Sequence, residues 1–320
     1  MLLALAACKP GPTIAYDDFA SRQVAAQCTR LVRCGLFETS TACLAFFKIT
    51  PDTSLAAAIT AGKVHYDGEA ANDCLNALAG ITCDGSTEGA RLPPAVCAQV
   101  FTGDGAIADT CLLDSECNSG RCALGSGCDP SSCCAGTCAV AGAAAIGDAC
   151  NITADCVAGA YCTIDKLCVA FGNKGDPCYV DADCAYTLAC STATFPGTCY
   201  PAAADGQPCP NGLCADIGDH CNASKICAPV GLTGAPCTSS ADCSPYGVCD
   251  TGSGLCADVP DIGSPCIERC EADAFCDAPS GTCIALYADG AICDTNNDCV
   301  SSFCEDSGAL SSCEELPVCD

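Results

Sequence analysis

Thirty-nine of the 320 residues are cysteine, and that density decides what kind of fold the chain can reach. The hydrophobic fraction is 50%, but about 12% of the chain is cysteine itself, leaving roughly 38% for the other apolar types, below the usual share. Nine Phe, eight Tyr, one Met and no Trp cannot fill the interior of so long a chain. A chain of this length would normally split into domains held by buried apolar area. Cross-links must substitute for that area. A disulfide closing a loop of about 15 residues contributes roughly 3 kcal/mol by restricting the unfolded chain. Cysteine at this density also needs an oxidising compartment.

The formal charge is −27, from 39 acidic and 12 basic residues. A surface of that sign repels nucleic acid and anionic lipid headgroups and keeps a chain with a sparse core in solution. No nucleic-acid partner is expected.

At the N-terminus, Leu5-Ala6-Ala7-Cys8 closes an apolar start and resembles the lipobox of bacterial lipoproteins. The resemblance implies that Cys8 becomes the lipidated first residue of the mature chain. Residues 1–7 are then a signal remnant and residues 8–14 a tether. It also implies a membrane partner reached through an N-terminal lipid anchor, and residence in the bacterial cell envelope, at the outer membrane or cell surface. Only seven residues precede Cys8 and none is basic, whereas a secretory signal carries a charged segment before about 7–15 apolar residues. The true start is therefore expected upstream of Met1. No other stretch approaches the roughly 20 apolar residues of a membrane span. With Cys8 set aside, thirty-eight cysteines remain, an even number that allows nineteen disulfides.

Residues 15–104 read as a small disulfide-linked α-helical domain. Phe19, Ala20, Val24, Cys28 and Leu31 recur at helical spacing, with Asp17 and Asp18 early, Arg30 and Arg33 late, and Gly35 after them. Further helices are predicted over 41–48, over 53–61 with a stop at Gly62, and after Asp67 as N-cap with a stop at Gly80. Cys28 and Cys34 are six apart on one helix and point about 240° away from each other, so they cannot bond together. They should staple the first helix to other elements.

From about residue 105 the helical period disappears and a repeat of about 27–31 residues takes over. Its opening is seen in Gly147-Asp148-Ala149-Cys150, Gly175-Asp176-Pro177-Cys178, Gly206-Gln207-Pro208-Cys209, Gly234-Ala235-Pro236-Cys237, Gly263-Ser264-Pro265-Cys266 and Gly290-Ala291-Ile292-Cys293. An acid usually precedes the second cysteine, as in Glu116-Cys117, Asp155-Cys156, Asp183-Cys184, Asp242-Cys243 and Asp298-Cys299. An earlier unit begins at Cys111 without the glycine. Seven modules follow, at 105–142, 143–170, 171–203, 204–230, 231–259, 260–286 and 287–320. Each is too short for a hydrophobic core and should be a small disulfide-rich knot of turns and short β-hairpins. Structural disulfide cysteines in the regular units are Cys150, Cys156, Cys162, Cys168, Cys178, Cys184, Cys190, Cys199, Cys237, Cys243, Cys249 and Cys256. The spacing over residues 105–320 resembles the cysteine-rich N-terminal domain of Dickkopf proteins and tandem arrays in lipoproteins of myxobacteria. The helical region is similar to the leader domain of those lipoproteins. Dickkopf proteins antagonise Wnt signalling in animals, a role that a lipobox-bearing chain gives no reason to import.

The cysteine count has a parity. The helical domain holds six, the first module seven, modules two to six four each, and the last module five. If all thirty-eight pair within one chain, an odd number of bridges must cross every boundary from the first module to the last. Neighbouring modules are then stapled in series, the two ends of the array are bridged, or two thiols stay unpaired. Cys319 or a member of the Cys128–Cys138 cluster, Cys138 included, is the expected intermodule or interchain cysteine.

Chemistry-bearing constellations are few. No Cys-x2-Cys occurs, which removes the usual zinc knuckle and redox motifs. His65 and His220 lie in different segments, His65 at the edge of the helical domain and His220 in a loop, and neither has the neighbours of a hydrolytic triad. Turn-rich modules offer no deep apolar pocket in which to raise a carboxylate pKa. Asp294, Asn296, Asp298 and Glu305 match positions 1, 3, 5 and 12 of a calcium loop. The glycine required at position 6 is Cys299, however, so a capping role for Asp298 is the stronger reading. Asn151-Ile152-Thr153 and Asn222-Ala223-Ser224 match glycosylation acceptors. The expectation is a non-enzymatic lipoprotein with no cofactor, a helical domain and a linear array of seven modules. It binds an unknown protein or glycan, or acts as an adhesin or spacer. The alternative is a secreted protease inhibitor with Arg121, Lys166 or Lys225 as exposed anchors.

Overall fold

The apolar spacing of the first helix is realised in α1 (Tyr16–Arg33), which buries Phe19, Ala26, Cys28 and Leu31. Its early acids and late arginines oppose the helix dipole, and Gly35 leaves it at φ +74°. The computed structural model describes residues 12–313 apart from 48, 50, 51, 86–92, 125–133, 151, 164, 186, 187, 192–195, 210, 211, 272, 278, 289, 294–298, 301–303 and 307–310.

α2 (Ser40–Phe46) starts where Thr39 Oγ1 accepts from Ala42 N at 3.1 Å, and it ends sooner than 41–48 predicts. Phe46 and Phe47 both pack on Phe37 and Tyr246. Adjacent residues sit about 100° apart on a helix, so the backbone turns extended at Phe47 to bring both rings to one cluster. α3 (Thr53–Thr60) is capped by Asp52 Oδ1, which accepts from Leu55 N at 2.9 Å. Gly62 follows it at φ +71°. Asp67 caps α4 (Gly68–Gly80) by accepting from Glu69 N and Ala70 N. Gly80 is the last helical residue rather than the stop, which falls at Ile81. The carbonyls at that end are satisfied from α1: Arg33 donates to Ala79 O at 2.6 Å and to Ile81 O, and Arg30 to Thr82 O at 3.2 Å.

Cys28–Cys43 ties α1 to α2, and Cys34–Cys83 and Cys74–Cys97 tie the helices to the loops that follow α4. Ile14, Phe19, Ala26, Ala71, Leu75 and Val100 pack between α1 and α4. Two short strands, β1 (Val64–Tyr66) and β2 (Phe101–Gly103), pair antiparallel beside them. Among the described residues no helix is long and apolar enough to cross a membrane.

From Gly105 onward one construction repeats. In the regular modules the first cysteine bonds the third and the second bonds the fourth: Cys150–Cys162 and Cys156–Cys168, Cys178–Cys190 and Cys184–Cys199, Cys237–Cys249 and Cys243–Cys256. The same pattern holds in the fourth, sixth and seventh modules, and in the first Cys111 bonds Cys122 while Cys117 bonds the last cysteine, Cys138. Its geometry comes from the hairpin. The third and fourth cysteines are cross-strand partners, Cys162↔Cys168, Cys190↔Cys199 and Cys249↔Cys256 among them. Opposed residues project from the same face, so both bridges leave the hairpin side by side and form its buried centre.

Cys138 is drawn into this scheme. It lies opposite Cys122 and bonds Cys117 within the first module, not across a module boundary. The named bridges of the array all close inside their own modules, which corrects stapling in series. Cys134 is oxidised as well. Cys128, Cys133 and Cys319 lie outside the described residues, as does Cys8.

The recurrent glycine has a backbone reason. Gly147, Gly175, Gly206, Gly234, Gly263 and Gly290 stand at φ +69° to +95°. Each donates its N–H to the fourth cysteine's carbonyl, as Gly147 does to Cys168 O at 2.8 Å. That cysteine donates back to the residue after the glycine, Cys168 N to Asp148 O at 2.9 Å. In the first module Ala108 takes this position at φ +75° and makes the same bond to Cys138 O. An L-residue there pays for its Cβ. Ala108→Gly is therefore expected to slow hydrogen exchange at the Ala108 and Cys138 amides, with a local gain of about 1 kcal/mol. Unchanged exchange would count against the steric account.

Neighbouring modules are closely joined. Arg121, offered above as an exposed anchor, is instead buried at 5% exposure. It reaches Asp155 Oδ1 of the second module at 2.6 Å, Asp114 Oδ1 at 3.3 Å and Cys122 O at 2.6 Å. Five donors in a fixed fork suit it to tie three acceptors at one junction.

The array is not a free linear string. In the fourth module Gly85 N donates to Ala215 O and Ile217 N to Cys83 O, so this segment pairs with the loop after α4. In the fifth, Ser244 Oγ donates to Leu36 O at 2.7 Å and Tyr246 stacks on Phe37 with centroids 4.6 Å apart. The first module also touches the helical domain, through Lys63 Nζ and the buried Glu116 carboxylate at 3.5 Å.

Candidate functional site

The acid before the second cysteine holds the loop that leads to it. Asp242 Oδ2 accepts from Thr238 N at 2.8 Å, Thr238 Oγ1 at 2.7 Å and Ser239 N at 3.1 Å. Asp183 does the same for Tyr179 N and Val180 N, Asp155 for Ile152 N, and Glu116 for Leu112 N. Two residues earlier a second oxygen accepts from the third cysteine's N–H: Asp114 for Cys122, Thr153 for Cys162, Asp181 for Cys190 and Ser240 for Cys249. Sequence reasoning missed this second acceptor. Its signal is an oxygen-bearing side chain three positions before the second cysteine. Asn296 and Asp298 occupy these two sequence positions in the seventh module. Asp294, Asn296 and Asp298 lie outside the described residues, and Glu305 stands on the strand Cys304–Asp306.

Hydrogen bonds from Thr238 N–H, then from the Thr238 hydroxyl, together with Ser239 N–H and the nearby His220, hold the Asp242 carboxyl below its ordinary value of 3.8. A depressed native pKa gives stability that is complete above the unfolded value and disappears as pH falls through the folded one. Protection of the Thr238 and Ser239 amides should therefore survive the ordinary carboxylate range and vanish only at lower pH. Asp242→Asn should abolish that acid transition. Hydrogen exchange followed across acid pH checks both, and an unaltered transition in the variant would refute the assignment.

His220, expected in a loop, is on the strand Asp219–Cys221, with Nε2 3.6 Å from Asp242 Oδ1. His65 lies on β1 and meets Asp104 Oδ2 at 2.8 Å, both exposed. Burial, then Asp205 and Asp216, push the neighbouring Asp219 carboxyl up. Cysteine sulfurs gather at module centres, for instance Cys150, Cys156 and Cys168, because two disulfides lie side by side there. A disulfide sulfur has no thiolate to offer a metal. Lys166 and Lys225 are exposed and hold matching positions two residues before the fourth cysteine, at φ +60° and +58°. The same loop position thus carries a lysine in two modules. Its left-handed backbone departs from the extended form in which peptides add to a partner's sheet edge. Asn222 folds its side chain into its own turn, with Oδ1 accepting from Ser224 N and Ile226 N.

The candidate site is the cleft where the helical domain meets the fifth module, of about 260 Å³. Ligand sites favour such seams between separately built units. Its aromatic wall is Phe37, Phe46 and Tyr246, rings held against one another and behind them by Phe47. The helical domain contributes Glu38 and the array Asp258, Asp261 and Glu271. Asp258 Oδ1 accepts from Thr233 Oγ1 at 2.7 Å. Burial pushes the Tyr246 hydroxyl up, which keeps it neutral. A second hollow, of about 830 Å³, is walled by the helical domain alone, with Phe19, Leu55, Leu78 and Phe101 among its residues. No family model, curated protein or solved structure matches the chain.

Proposed function

We propose that this chain is an exported, non-enzymatic bacterial lipoprotein that uses its disulfide-bonded modules to bind protein or glycan at the cell surface. One observation carries the reading. Seven modules share one pattern of bridges and turn bonds, while the loops between their cysteines differ in sequence. A conserved frame with differing loops suits recognition, since pre-organised loops lose little entropy on binding. So many disulfides fit an extracellular or otherwise oxidising location. The Leu-Ala-Ala-Cys string supports a lipid anchor at Cys8, and the likeness of the repeat to arrays in myxobacterial lipoproteins agrees with it.

Palmitate labelling of cells expressing the protein, compared with Cys8→Ser, tests the anchor. Label should be incorporated by the first and lost in the second, and equal labelling would end the lipoprotein reading. Binding of the oxidised, anchor-free chain to intact cells tests the adhesive role. That binding should be saturable and disappear on reduction; absence of saturable binding would refute it.

A further inference from the structure

We infer that the cleft between the helical domain and the fifth module binds a single cationic group on an apolar stem, such as a lysine or arginine side chain or a small alkylammonium ion. The inference deepens the binding role proposed above and rests on it. Size comes first. At about 260 Å³ the cleft lies just under the range of about 300–1,000 Å³ usual for small-molecule sites, so it suits one side chain rather than a cofactor.

The chemistry of the walls is one-sided. Phe37, Phe46 and Tyr246 offer aromatic surface, which attracts cations through the ring quadrupole and packs well against methylene groups. Four carboxylates, Glu38, Asp258, Asp261 and Glu271, stand around that surface, and among the described residues no lysine, arginine or histidine lines the cleft. The whole chain carries −27, and a concave, low-dielectric site focuses a field of that sign. A bare hydrated metal ion would gain nothing from the rings. An anionic ligand would meet the field of four carboxylates.

The floor is already ordered. Ser244, 5% exposed, donates to Leu36 O and accepts from Tyr246 N at 3.3 Å. That bond holds the backbone that carries the Tyr246 ring at the seam. Sequence reasoning could not have found the site, because its residues come from positions about 200 apart and share no spacing.

The test titrates the whole oxidised chain with n-butylammonium and with Nα-acetyl-lysine methylamide, followed by amide chemical shifts. Butanol and calcium chloride serve as controls. Saturable shifts at Ala42, Gly231 and Thr233, weakened by salt, are expected with both cations. Asp258→Asn combined with Glu271→Gln should lower affinity about tenfold, the loss of a charge-assisted contact. The native disulfide map should be retained. Preference for the blocked lysine would point to a protein partner, and preference for butylammonium to a free amine. Equal response to butanol, response to calcium alone, no saturation, or unchanged affinity in the double variant would overturn the inference. Cell binding that persists in the double variant would overturn the cleft's role in adhesion while leaving the adhesive function in place.

Discussion

Replacing Cys156 and Cys168 together by serine is expected to unfold the second module while the other modules keep their bridges. Loss of a native disulfide from a small domain costs about 2–5 kcal/mol, and this module has little besides Cys150–Cys162 to set against it. Its buried cluster is Cys150, Cys156, Ala160 and Cys168, three of them cysteines. Without Cys156–Cys168 the reciprocal bonds between Gly147, Asp148 and Cys168 lose their anchor. Asp155 would also release the buried Arg121, so the first module should loosen at that junction. Limited proteolysis with mass mapping should show new cuts confined to 143–170 and the junction around Arg121. Cleavage spread evenly over the array, or none at all, would contradict module-by-module stability.

Gly218→Ala is expected to lift the fourth and fifth modules off the helical domain. A Cβ at Gly218 would stand 1.9 Å from Cys34 O, a backbone atom held by the Cys34–Cys83 bridge. Gly218 is not in the left-handed region, so alanine meets no such backbone penalty, only the Cys34 carbonyl and, at 3.3 Å, Asp216 Oδ1 of its own module. Overpacking a tight contact costs about 1–3 kcal/mol, and here separation of the two surfaces relieves it. The expected result is a larger radius of gyration in solution scattering, with an unchanged disulfide map. Faster exchange at Ile217, whose N–H now bonds Cys83 O, should accompany it. Tyr246→Ala should act the same way by removing the half-buried ring stacked on Phe37, at a cost below the roughly 3–5 kcal/mol of a fully buried aromatic. Unaltered scattering in both variants would mean that the docking described here does not hold in solution.

Much of the local structure was legible in the residues. Asp52 and Asp67 cap helices, and Gly35 and Gly62 follow them with positive φ. The tandem hairpins follow from cysteine and glycine positions. Where a local rule has a substitute, the reading failed. Ala108 does the work of the missing glycine, and Asp114, Thr153, Asp181 and Ser240 share a role that three different kinds of side chain disguise. Arg121 looked like a free cation because its acceptors, Asp155 and the backbone of Cys122, are brought to it only by folding.

The sequence by itself determined a disulfide-built chain: a helical leader, then repeated small modules whose sulfur bonds span only 10–21 residues. Such short closures are local, so spacing marks out the modules, while which cysteine bonds which is decided by the register of each hairpin. Only the tertiary structure decided that the fourth and fifth modules return to the helices, and that the fifth, with Asp261 and Glu271 of the sixth, closes an acidic, aromatic cleft against them. That choice depends on shape at single points, the absent Cβ of Gly218, one hydroxyl at Ser244 and the face of one tyrosine. Contacts of this kind bring together residues far apart in the chain and leave no periodic trace in it.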